Sequence, residues 1–276
     1  MAKKIALFNM KGGVGKSTLT VQLAWHFAAY KRWLKRVLVV DIDPQFNASQ
    51  YLLGLERYKN ILTERKATIW NLYKGSDINV ERADIRNAIH QVATVNGGGK
   101  LDLLPSQIEL ATAWRSPQNK EEILAKSLIE IENNYDLILI DCPPTESLFT
   151  ISAYRASDFV LVPVRAEFLS TIGLPLIRRS LNLFNQVYPE HKIQLAGILF
   201  YATTNRGAEE ELSKSEVREL AKNFGWYVFN NEIPYSKSYP RSAREGVPIF
   251  LTSHVRKSQS IAIQNFAEEL SVRVSI

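Results

Sequence analysis

The stretch KKIALFNMKGGVGKSTLT, residues 3–20, decides the fold of this chain. Residues 5–9 form a short apolar run, and residues 17–30 place apolar side chains at helical spacing. A glycine-rich loop over residues 11–16 joins the predicted strand to the predicted helix. Glycines let successive backbone N–H groups converge on one point, and the N-terminus of a helix adds a positive dipole end. The stretch therefore predicts a loop that binds phosphate groups.

The side chains of this loop predict a nucleoside triphosphate with Mg²⁺. Lys16 can reach the β- and γ-phosphates, and the hydroxyl of Ser17 can bind the metal ion. The residues expected to contact the nucleotide are Gly12, Gly13, Val14, Gly15, Lys16, Ser17 and Thr18. The loop departs from the general pattern G-x-x-x-x-G-K-[ST], because Met10 stands at the first glycine position and a second lysine, Lys11, follows it.

Beyond the loop, apolar runs alternate with helical patterns. The apolar runs cover residues 37–40, 101–104, 137–140, 159–163 and 193–200, and the helical patterns cover 120–132, 174–187 and 209–224. This alternation predicts an α/β fold, a doubly wound and mostly parallel sheet flanked by helices. Residues 96–99, NGGG, predict the turn of an antiparallel hairpin at the sheet edge. No linker stands out, so we expect one domain over residues 1–276.

Two of the predicted strands end in aspartate. Asp41 and Asp43 follow the run 37–40, and Asp141 follows the run 137–140. The carboxyl ends of parallel strands form the edge where ligands of open α/β sheets bind, so these carboxylates should lie near the phosphate loop. We interpret Cys142 as a small packed residue rather than a nucleophile, because the sequence suggests no histidine partner for it.

Composition excludes several classes of protein. Of the 276 residues 46% are hydrophobic and 22% are charged, which excludes a disordered chain. A single cysteine excludes a disulfide framework and a cysteine-rich zinc site. No apolar run reaches the roughly 18 residues that cross a bilayer, and the first apolar stretch is too short for a signal peptide. We therefore expect a cytoplasmic protein, and its net charge of +6 favours polyanionic partners.

Three segments together resemble one family: the loop KGGVGKST, the segment DIDPQ at residues 41–45 and the segment DCPP at residues 141–144. They resemble the ParA/MinD superfamily of deviant Walker A P-loop ATPases, and in it the small ParA-type (Soj-like) ATPases without an N-terminal helix-turn-helix. The resemblance implies that Lys11 reaches across a nucleotide-sandwich dimer to the phosphates of the other subunit. It also implies that Asp43 positions the attacking water and that Asp141 holds Mg²⁺ through water.

The distal half carries further features of this superfamily. Ile233 and Pro234, followed by GVPI at residues 246–249, keep the family spacing, which implies that the Ile233–Pro234 backbone borders the adenine ring. The arginine of the family's D-x-R segment is present, although its aspartate is Thr204 here. Ser238 occupies the family's basic DNA-contact position. The remaining DNA-binding candidates are Arg206, Lys237, Arg241 and Arg244.

The resemblance implies a Mg²⁺-dependent ATPase that is slow without a partner. ATP would produce a homodimer that binds non-specific DNA on the nucleoid. A ParB-like or other cargo-linked protein would stimulate hydrolysis, and the cycle would segregate or position a plasmid, a chromosome or a protein assembly.

Two alternatives use the same scaffold. A MinD-like membrane-associated ATPase should end in a basic amphipathic helix, but residues 258–276 hold Glu268, Glu269 and a single base, Arg273. This composition favours a helix packed on the protein body, and we expect no membrane partner. An ATP-dependent metabolic enzyme is the other alternative, and it would not need Lys11.

Overall fold

The computed structural model describes residues 1–74, 83–115, 120–204, 207–253, 255 and 257–276. Within these ranges one sheet contains eight strands. The strands are β1 (Lys3–Leu7), β2 (Arg36–Asp41), β3 (His90–Thr94), β4 (Lys100–Leu104), β5 (Leu137–Asp141), β6 (Phe159–Val164), β7 (Gln194–Thr203) and β8 (Ile233–Pro234). Their order across the sheet is β3-β4-β2-β5-β1-β6-β7-β8.

The sheet is parallel except at one edge. Strands β3 and β4 pair antiparallel, and every other neighbouring pair is parallel. The turn between β3 and β4 is closed by a hydrogen bond of 2.8 Å from the Val95 N–H to the Gly99 carbonyl. The predicted edge hairpin is therefore confirmed, and so is the mostly parallel sheet.

Helices cover both faces of the sheet. They are α1 (Lys16–Ala29), α2 (Asn47–Thr63), α3 (Ile69–Lys74), α4 (Ile123–Ile129), α5 (Leu148–Ala156), α6 (Phe168–Val187), α7 (Ala208–Phe224), α8 (Ser238–Glu245) and α9 (Lys257–Val274). In one core, helices α1, α2, α8 and α9 pack on one face of the sheet. In the second core, helices α3, α4, α5, α6 and α7 pack on the other face. Side chains of β2 alternate between the two cores, with Val37 and Val39 in one and Leu38 and Val40 in the other. This arrangement confirms the doubly wound fold.

Helix boundaries differ from the predicted ones at two places. The pattern over residues 120–132 folds as α4 with a short 3₁₀ turn on each side. The pattern over residues 174–187 belongs to α6, which begins six residues earlier and contains Pro175. A proline inside a helix removes one backbone hydrogen bond, and this makes the true start of the helix hard to see in the sequence.

The C-terminal helix α9 packs on the protein body. Phe266 and Leu270 are fully buried, and the Phe266 ring lies 5.0 Å from the Phe229 ring in an edge-to-face contact. Glu269 accepts hydrogen bonds from the backbone N–H groups of Asn230 and Asn231, at 2.8 and 2.9 Å. The expectation of a packed helix at this end of the chain is therefore confirmed. Within the described ranges, no helix is both long and apolar enough to cross a membrane.

The edge hairpin lies very close to α1 at one glycine. A Cβ atom on Gly99 would stand 1.9 Å from the carbonyl oxygen of Ala28, so only glycine fits without moving the backbone. We expect Gly99→Ala to lower the free energy of unfolding by about 1–3 kcal/mol, the usual cost of overpacking. The measurement is the urea midpoint of unfolding.

Gly173 in α6 is the matched control for this substitution. A Cβ there meets no atom within 4 Å. Gly173→Ala should therefore raise the free energy of unfolding by up to about 1 kcal/mol, because alanine is the better helix former. Equal effects of the two substitutions would show that the close approach at Gly99 is not what requires glycine.

Candidate nucleotide site

The glycine loop connects the end of β1 to the start of α1. Gly13 has φ +74° and Gly15 has φ +90°, conformations that residues with a Cβ atom rarely adopt. A Cβ atom on Gly15 would also lie 2.3 Å from the ring of Tyr201, which comes from the distant strand β7. Two glycines of the predicted loop are thus required by backbone conformation, and one of them also by the approach of a side chain.

Lys16 is buried within this loop. Its ammonium group donates hydrogen bonds of 3.1 Å to the carbonyl oxygens of Asn9 and Lys11. Burial lowers the pKa of Lys16, and the nearby carboxylates of Asp141 and Asp43 act against this decrease. The ammonium group therefore lies between the loop backbone and the acidic ends of two strands, where it can bind an anionic ligand.

Asp41 has a structural role at the end of β2. One of its carboxylate oxygens accepts hydrogen bonds from the backbone N–H and the hydroxyl of Ser49, at 2.8 and 2.7 Å. The other oxygen accepts a hydrogen bond of 3.1 Å from the Asp43 N–H. Complete burial raises the pKa of Asp41 to about 7. Asp41 thus holds the loop after β2 against the start of α2.

Asp43 faces the space beside the loop. It accepts a hydrogen bond of 2.9 Å from the Gln45 N–H and lines a cavity together with Lys16. Burial raises the pKa of Asp43, while the hydrogen bond from Gln45 and the charge of Lys16 lower it. Its carboxylate therefore lies where it can act on a ligand bound at Lys16.

Asp141 is buried at the end of β5, in register with Asp41 on one side and Leu7 on the other. Among the described residues, neither carboxylate oxygen has a hydrogen-bond donor in good geometry. Burial, and then the charge of Asp41, raise the pKa of Asp141 well above its ordinary value, although the Ser17 hydroxyl and the Lys16 charge lower it.

A buried carboxylate whose oxygens lack a well-placed donor fits a divalent cation, which would add positive charge beside it. Ser17 and Asp141 are the residues of this chain that could hold it. In the described part of the chain, no group of three or more His, Cys, Asp or Glu side chains could form a metal cage. Mg²⁺ usually takes one or two protein ligands and completes its shell with phosphates and water, so Ser17 and Asp141 would be enough protein ligands for it.

Cys142 follows Asp141 and is fully buried. Burial raises the pKa of its thiol well above the ordinary value, so the thiolate that a nucleophile needs is strongly disfavoured. The interpretation of Cys142 as a packed residue is consistent with this environment.

A cavity of about 730 Å³ opens beside the loop, a size that suits a nucleotide. Six of the predicted loop residues line it, together with Asp43, and Val14 is buried behind them. The predicted adenine-bordering residues Ile233 and Pro234 form β8, and the two residues that follow them, Tyr235 and Ser236, line the cavity. The structure thus brings the loop, Asp43 and the chain after β8 together around one space.

Several residues of this site escaped the sequence analysis. The cavity lining also contains Tyr51, Arg165, Tyr201 and Tyr239. Arg165 had a signal in the sequence, because it lies two residues after the apolar run 159–163, whose strand ends at the carboxyl edge of the sheet. The three tyrosines had no signal in the sequence, because they reach the cavity from α2, β7 and α8 through long-range packing.

A buried hydrogen-bond network ties three helices together beside the cavity. The Gln22 amide of α1 donates to the Tyr51 hydroxyl of α2 at 2.7 Å and to the Ser242 hydroxyl of α8 at 3.0 Å. Tyr51 also donates to Ser242, at 2.8 Å. We call these three side chains the polar node. The polar node links α1, which follows the phosphate loop, to α2, which follows Asp43, and to α8.

Lys11 lies outside the cavity lining. Its ammonium group forms an ion pair with Glu167, the residue that precedes α6, and the two side chains are 33% and 40% exposed. An ion pair with this exposure contributes little stability, so Lys11 can exchange it for another anion at low cost. Lys11 is thus available at the surface beside the phosphate loop.

The predicted DNA-binding residues that the structure describes share one region. Lys237, Arg241 and Arg244 are exposed at the start of α8 and along it. Arg241 donates a hydrogen bond of 3.1 Å to the Ser253 carbonyl, and Arg244 lines the mouth of the cavity. Arg206, the fourth candidate, lies outside the described residues.

The fold and the shape of the loop are those of a P-loop nucleotide-binding protein, and comparison with known proteins gives the family. A sequence profile of the AAA domain family matches residues 2–195. The sporulation initiation inhibitor protein Soj of Bacillus subtilis is 34% identical, over 91% of each chain. The chromosome-partitioning ATPase Soj of Treponema pallidum is 30% identical, over 90% of this chain and 89% of that protein.

Solved structures share the fold of this chain. An ATP complex of a Cyanothece McdA variant has a TM-score of 0.79 at 18% identity and covers 100% of this chain and 97% of its own. Cobyrinic acid a,c-diamide synthase from Mycobacterium smegmatis, with an ATP analogue and magnesium, has a TM-score of 0.73 at 24% identity, over 98% and 94%. The chain belongs to the AAA domain family of that profile and, within it, to the Soj/ParA partition ATPases.

The buried carboxylates predict how the stability of the metal-free protein depends on pH. Asp41 and Asp141 have pKa values raised by folding, so the folded protein binds protons that the unfolded chain releases above about pH 4. Their contribution to the free energy of unfolding is complete below that pH and is lost as the pH rises toward 7. Asp141→Asn should therefore become increasingly stabilising, relative to wild type, as the pH rises.

The measurement is urea unfolding in a chelator at about pH 5, 6 and 7. Asp136→Asn is the control, because a hydrogen bond from Arg36 lowers the pKa of Asp136 and leaves it ionised in this window. Its difference from wild type should not change with pH. An Asp141→Asn difference that shrinks as the pH rises would contradict the burial argument.

Proposed function

We propose that this chain is an ATPase that dimerises on ATP, binds DNA without sequence preference and hydrolyses ATP when a cargo-linked partner stimulates it. One observation carries the proposal: a second lysine, Lys11, lies one-third exposed beside a complete phosphate loop, and its ammonium group forms an exchangeable ion pair with Glu167 outside the cavity lining of its own chain. This is the position that a lysine acting on the nucleotide of a second subunit requires.

ATP and Mg²⁺ are the cofactors. The structural neighbours described above hold ATP, or an ATP analogue with magnesium, on the same fold. In this chain residues 12–18 would hold the phosphates, with Lys16 opposite the β- and γ-phosphates. Ser17 and Asp141 would hold the metal ion, which neutralises negative charge on the phosphates when it is bound.

Hydrolysis needs a water aligned with the γ-phosphate. Asp43 is the carboxylate beside Lys16 that lines the cavity, and its oxygen keeps an acceptor position after the Gln45 contact. We assign it the positioning of this water. Because the chemistry is mostly alignment and charge neutralisation, a chain that lacks the second subunit's cation should turn over slowly.

Lys11 would supply that cation. In a dimer joined through two nucleotides, the lysine of each subunit would leave Glu167 and contact the phosphates bound by the other. In related phosphoryl-transfer systems such a cation in trans is worth about 10³–10⁵ in rate. Dimerisation and hydrolysis would then be coupled through one side chain.

DNA binding would use the basic end of the site region. Lys237, Arg241 and Arg244 share one surface, and the chain carries a net charge of +6. These cations would contact phosphates rather than base edges, so binding should be independent of sequence and should weaken steeply with salt. Two subunits would double the number of contacts, which explains why binding should require the dimer.

A metabolic enzyme is the second candidate, because one neighbour on the same fold is a cobyrinic acid a,c-diamide synthase and the cavity continues past the phosphate loop. Such an enzyme would need ATP but no lysine acting on a second subunit. The behaviour of a Lys11 variant therefore separates the two candidates.

Asp43→Ala should retain ATP binding and dimerisation and lose hydrolysis by at least about a hundredfold, because general positioning by one side chain is worth that much. It should also bind arbitrary duplex DNA with ATP, but not with ADP, and lose this binding between about 50 and 200 mM salt. Fluorescence anisotropy and light scattering on the same samples measure both. If the variant forms a dimer with ATP but does not bind DNA, the proposed DNA binding would be contradicted.

Lys11→Ala should bind ATP with unchanged affinity, because its ammonium group lies outside its own cavity, yet fail to dimerise or to turn over. Lys16→Ala should lose ATP binding itself, and Lys31→Ala, an exposed lysine away from the loop, is the matched surface control. Isothermal titration and light scattering distinguish the three. A Lys11→Ala protein that dimerises and hydrolyses ATP normally would contradict the action of Lys11 on the nucleotide of the second subunit. It would favour the metabolic enzyme.

A further inference from the structure

Helix α6 presents an apolar face to solvent. We call this face the α6 stripe, and its residues are Leu169, Ile172, Leu176, Leu183 and Val187, each about half exposed. Their spacing places them on one side of a helix, opposite the buried residues Leu174, Ile177 and Leu181. From Leu169 to Val187 the stripe runs about 27 Å along the helix. A row of exposed apolar side chains of this length is typical of an interaction site.

A recess accompanies the stripe. We call it the α6–α7 groove, a cavity of about 690 Å³ between the distal halves of the two helices. Its lining includes Arg178, Arg179, Asn182 and Leu183 of α6, with Leu220 and Phe224 of α7. Leu183 belongs to both the stripe and the groove, so the two surfaces adjoin, and the groove lining combines apolar residues with arginine and amide side chains.

The charge on this surface has one sign. Helix α6 contains two charged residues, Arg178 and Arg179, and no acidic residue. The Arg178 guanidinium lies 4.4 Å from the centre of the Phe224 ring, which holds it at the groove wall. Of the ion pairs among the described residues, none involves either arginine. Two guanidinium groups beside an apolar recess are thus free to pair with carboxylates.

We propose that the α6 stripe and the α6–α7 groove bind an amphipathic helix of another protein. That helix would carry apolar side chains at i, i+4 and i+7 toward the stripe and aspartate or glutamate at its margin toward Arg178 and Arg179. The mode is that of a helix laid against an apolar groove, with opposite charge setting its orientation.

A second copy of this chain fits the surface less well. In a two-fold pairing each patch meets itself, so the arginines of one α6 would face the arginines of the other with no acidic residue of that helix between them. A flat bilayer fits less well too, because the groove is recessed between two helices. Charge and shape therefore favour a separate acidic helix.

The inference goes beyond the proposed ATPase cycle and holds whether or not the chain hydrolyses ATP. The groove lies at the distal ends of α6 and α7, whereas the phosphate loop lies at the carboxyl edge of the sheet, where α6 begins. Binding of a helix can therefore be measured by itself, with and without nucleotide.

The probes are two designed, fluorescently labelled peptides of about 20 residues, the length of α6, with identical leucine spacing. One carries glutamate and the other lysine at the flanking positions. Fluorescence anisotropy should show the acidic peptide binding at least about tenfold more tightly than the basic one. Replacing both arginines, Arg178→Glu and Arg179→Glu, should reverse the preference.

Two stripe substitutions, Leu176→Asp and Leu183→Asp, should each weaken the acidic peptide by about tenfold or more. Leu251→Asp is the control, because Leu251 is 64% exposed outside the stripe and should bind the peptide like wild type. All these positions are exposed, and circular dichroism with ATP titration checks that each variant is folded. The proposal is overturned if the two peptides bind with equal affinity. It is also overturned if the stripe and arginine substitutions leave the affinity of the acidic peptide unchanged.

Two further outcomes assign the surface to another occupant and also overturn it. In light scattering without peptide, self-association that Leu183→Asp abolishes would give the face to a second copy of the chain. In flotation with phosphatidylcholine–phosphatidylglycerol vesicles, binding that Leu183→Asp abolishes would give it to a membrane.

Discussion

A buried lysine held among carboxylates at one edge of the sheet is the constraint on which the rest of this structure depends. Burial disfavours the charge of Lys16, of Asp43 and of Asp141; Lys16 favours the charge of each carboxylate, whereas the Asp43 charge disfavours that of Asp141. Their proximity requires β1, β2 and β5 to be neighbours whose ends coincide, as the register of Leu7 and Asp41 with Asp141 shows. The strand order and the start of α1 follow from this requirement.

Features that depend on local backbone chemistry could be predicted from the sequence. The phosphate loop was predictable because two of its glycines adopt conformations that other residues avoid. The central strands were predictable because burial on both faces demands unbroken apolar runs, and the run 137–140 became β5. The edge hairpin was predictable because the sequence NGGG at residues 96–99 is typical of a tight turn between strands. Asp43 and Asp141 could be placed together because parallel strands end at one edge.

Features that depend on long-range packing could not be predicted. Tyr51 and Tyr201 reach the cavity from a helix and a strand that are far apart in the chain. Their spacing in the sequence therefore does not predict that they line the same cavity. The ion pair of Lys11 with Glu167 joins residues that are distant in sequence. Helix α6 shows a different limit. Periodicity identifies its apolar residues but not which of two apolar faces the protein buries, so the exposed stripe could be seen only in the structure.

The polar node of Gln22, Tyr51 and Ser242 limits how this protein can evolve. These side chains are buried, and loss of one would leave the others with unsatisfied hydrogen-bonding groups. The helix that follows Asp43 and the helix that carries Arg241 therefore cannot drift apart independently. A substitution that moves α8 therefore also moves α2, so over evolution the position of the Asp43 loop and that of the basic surface of α8 change together.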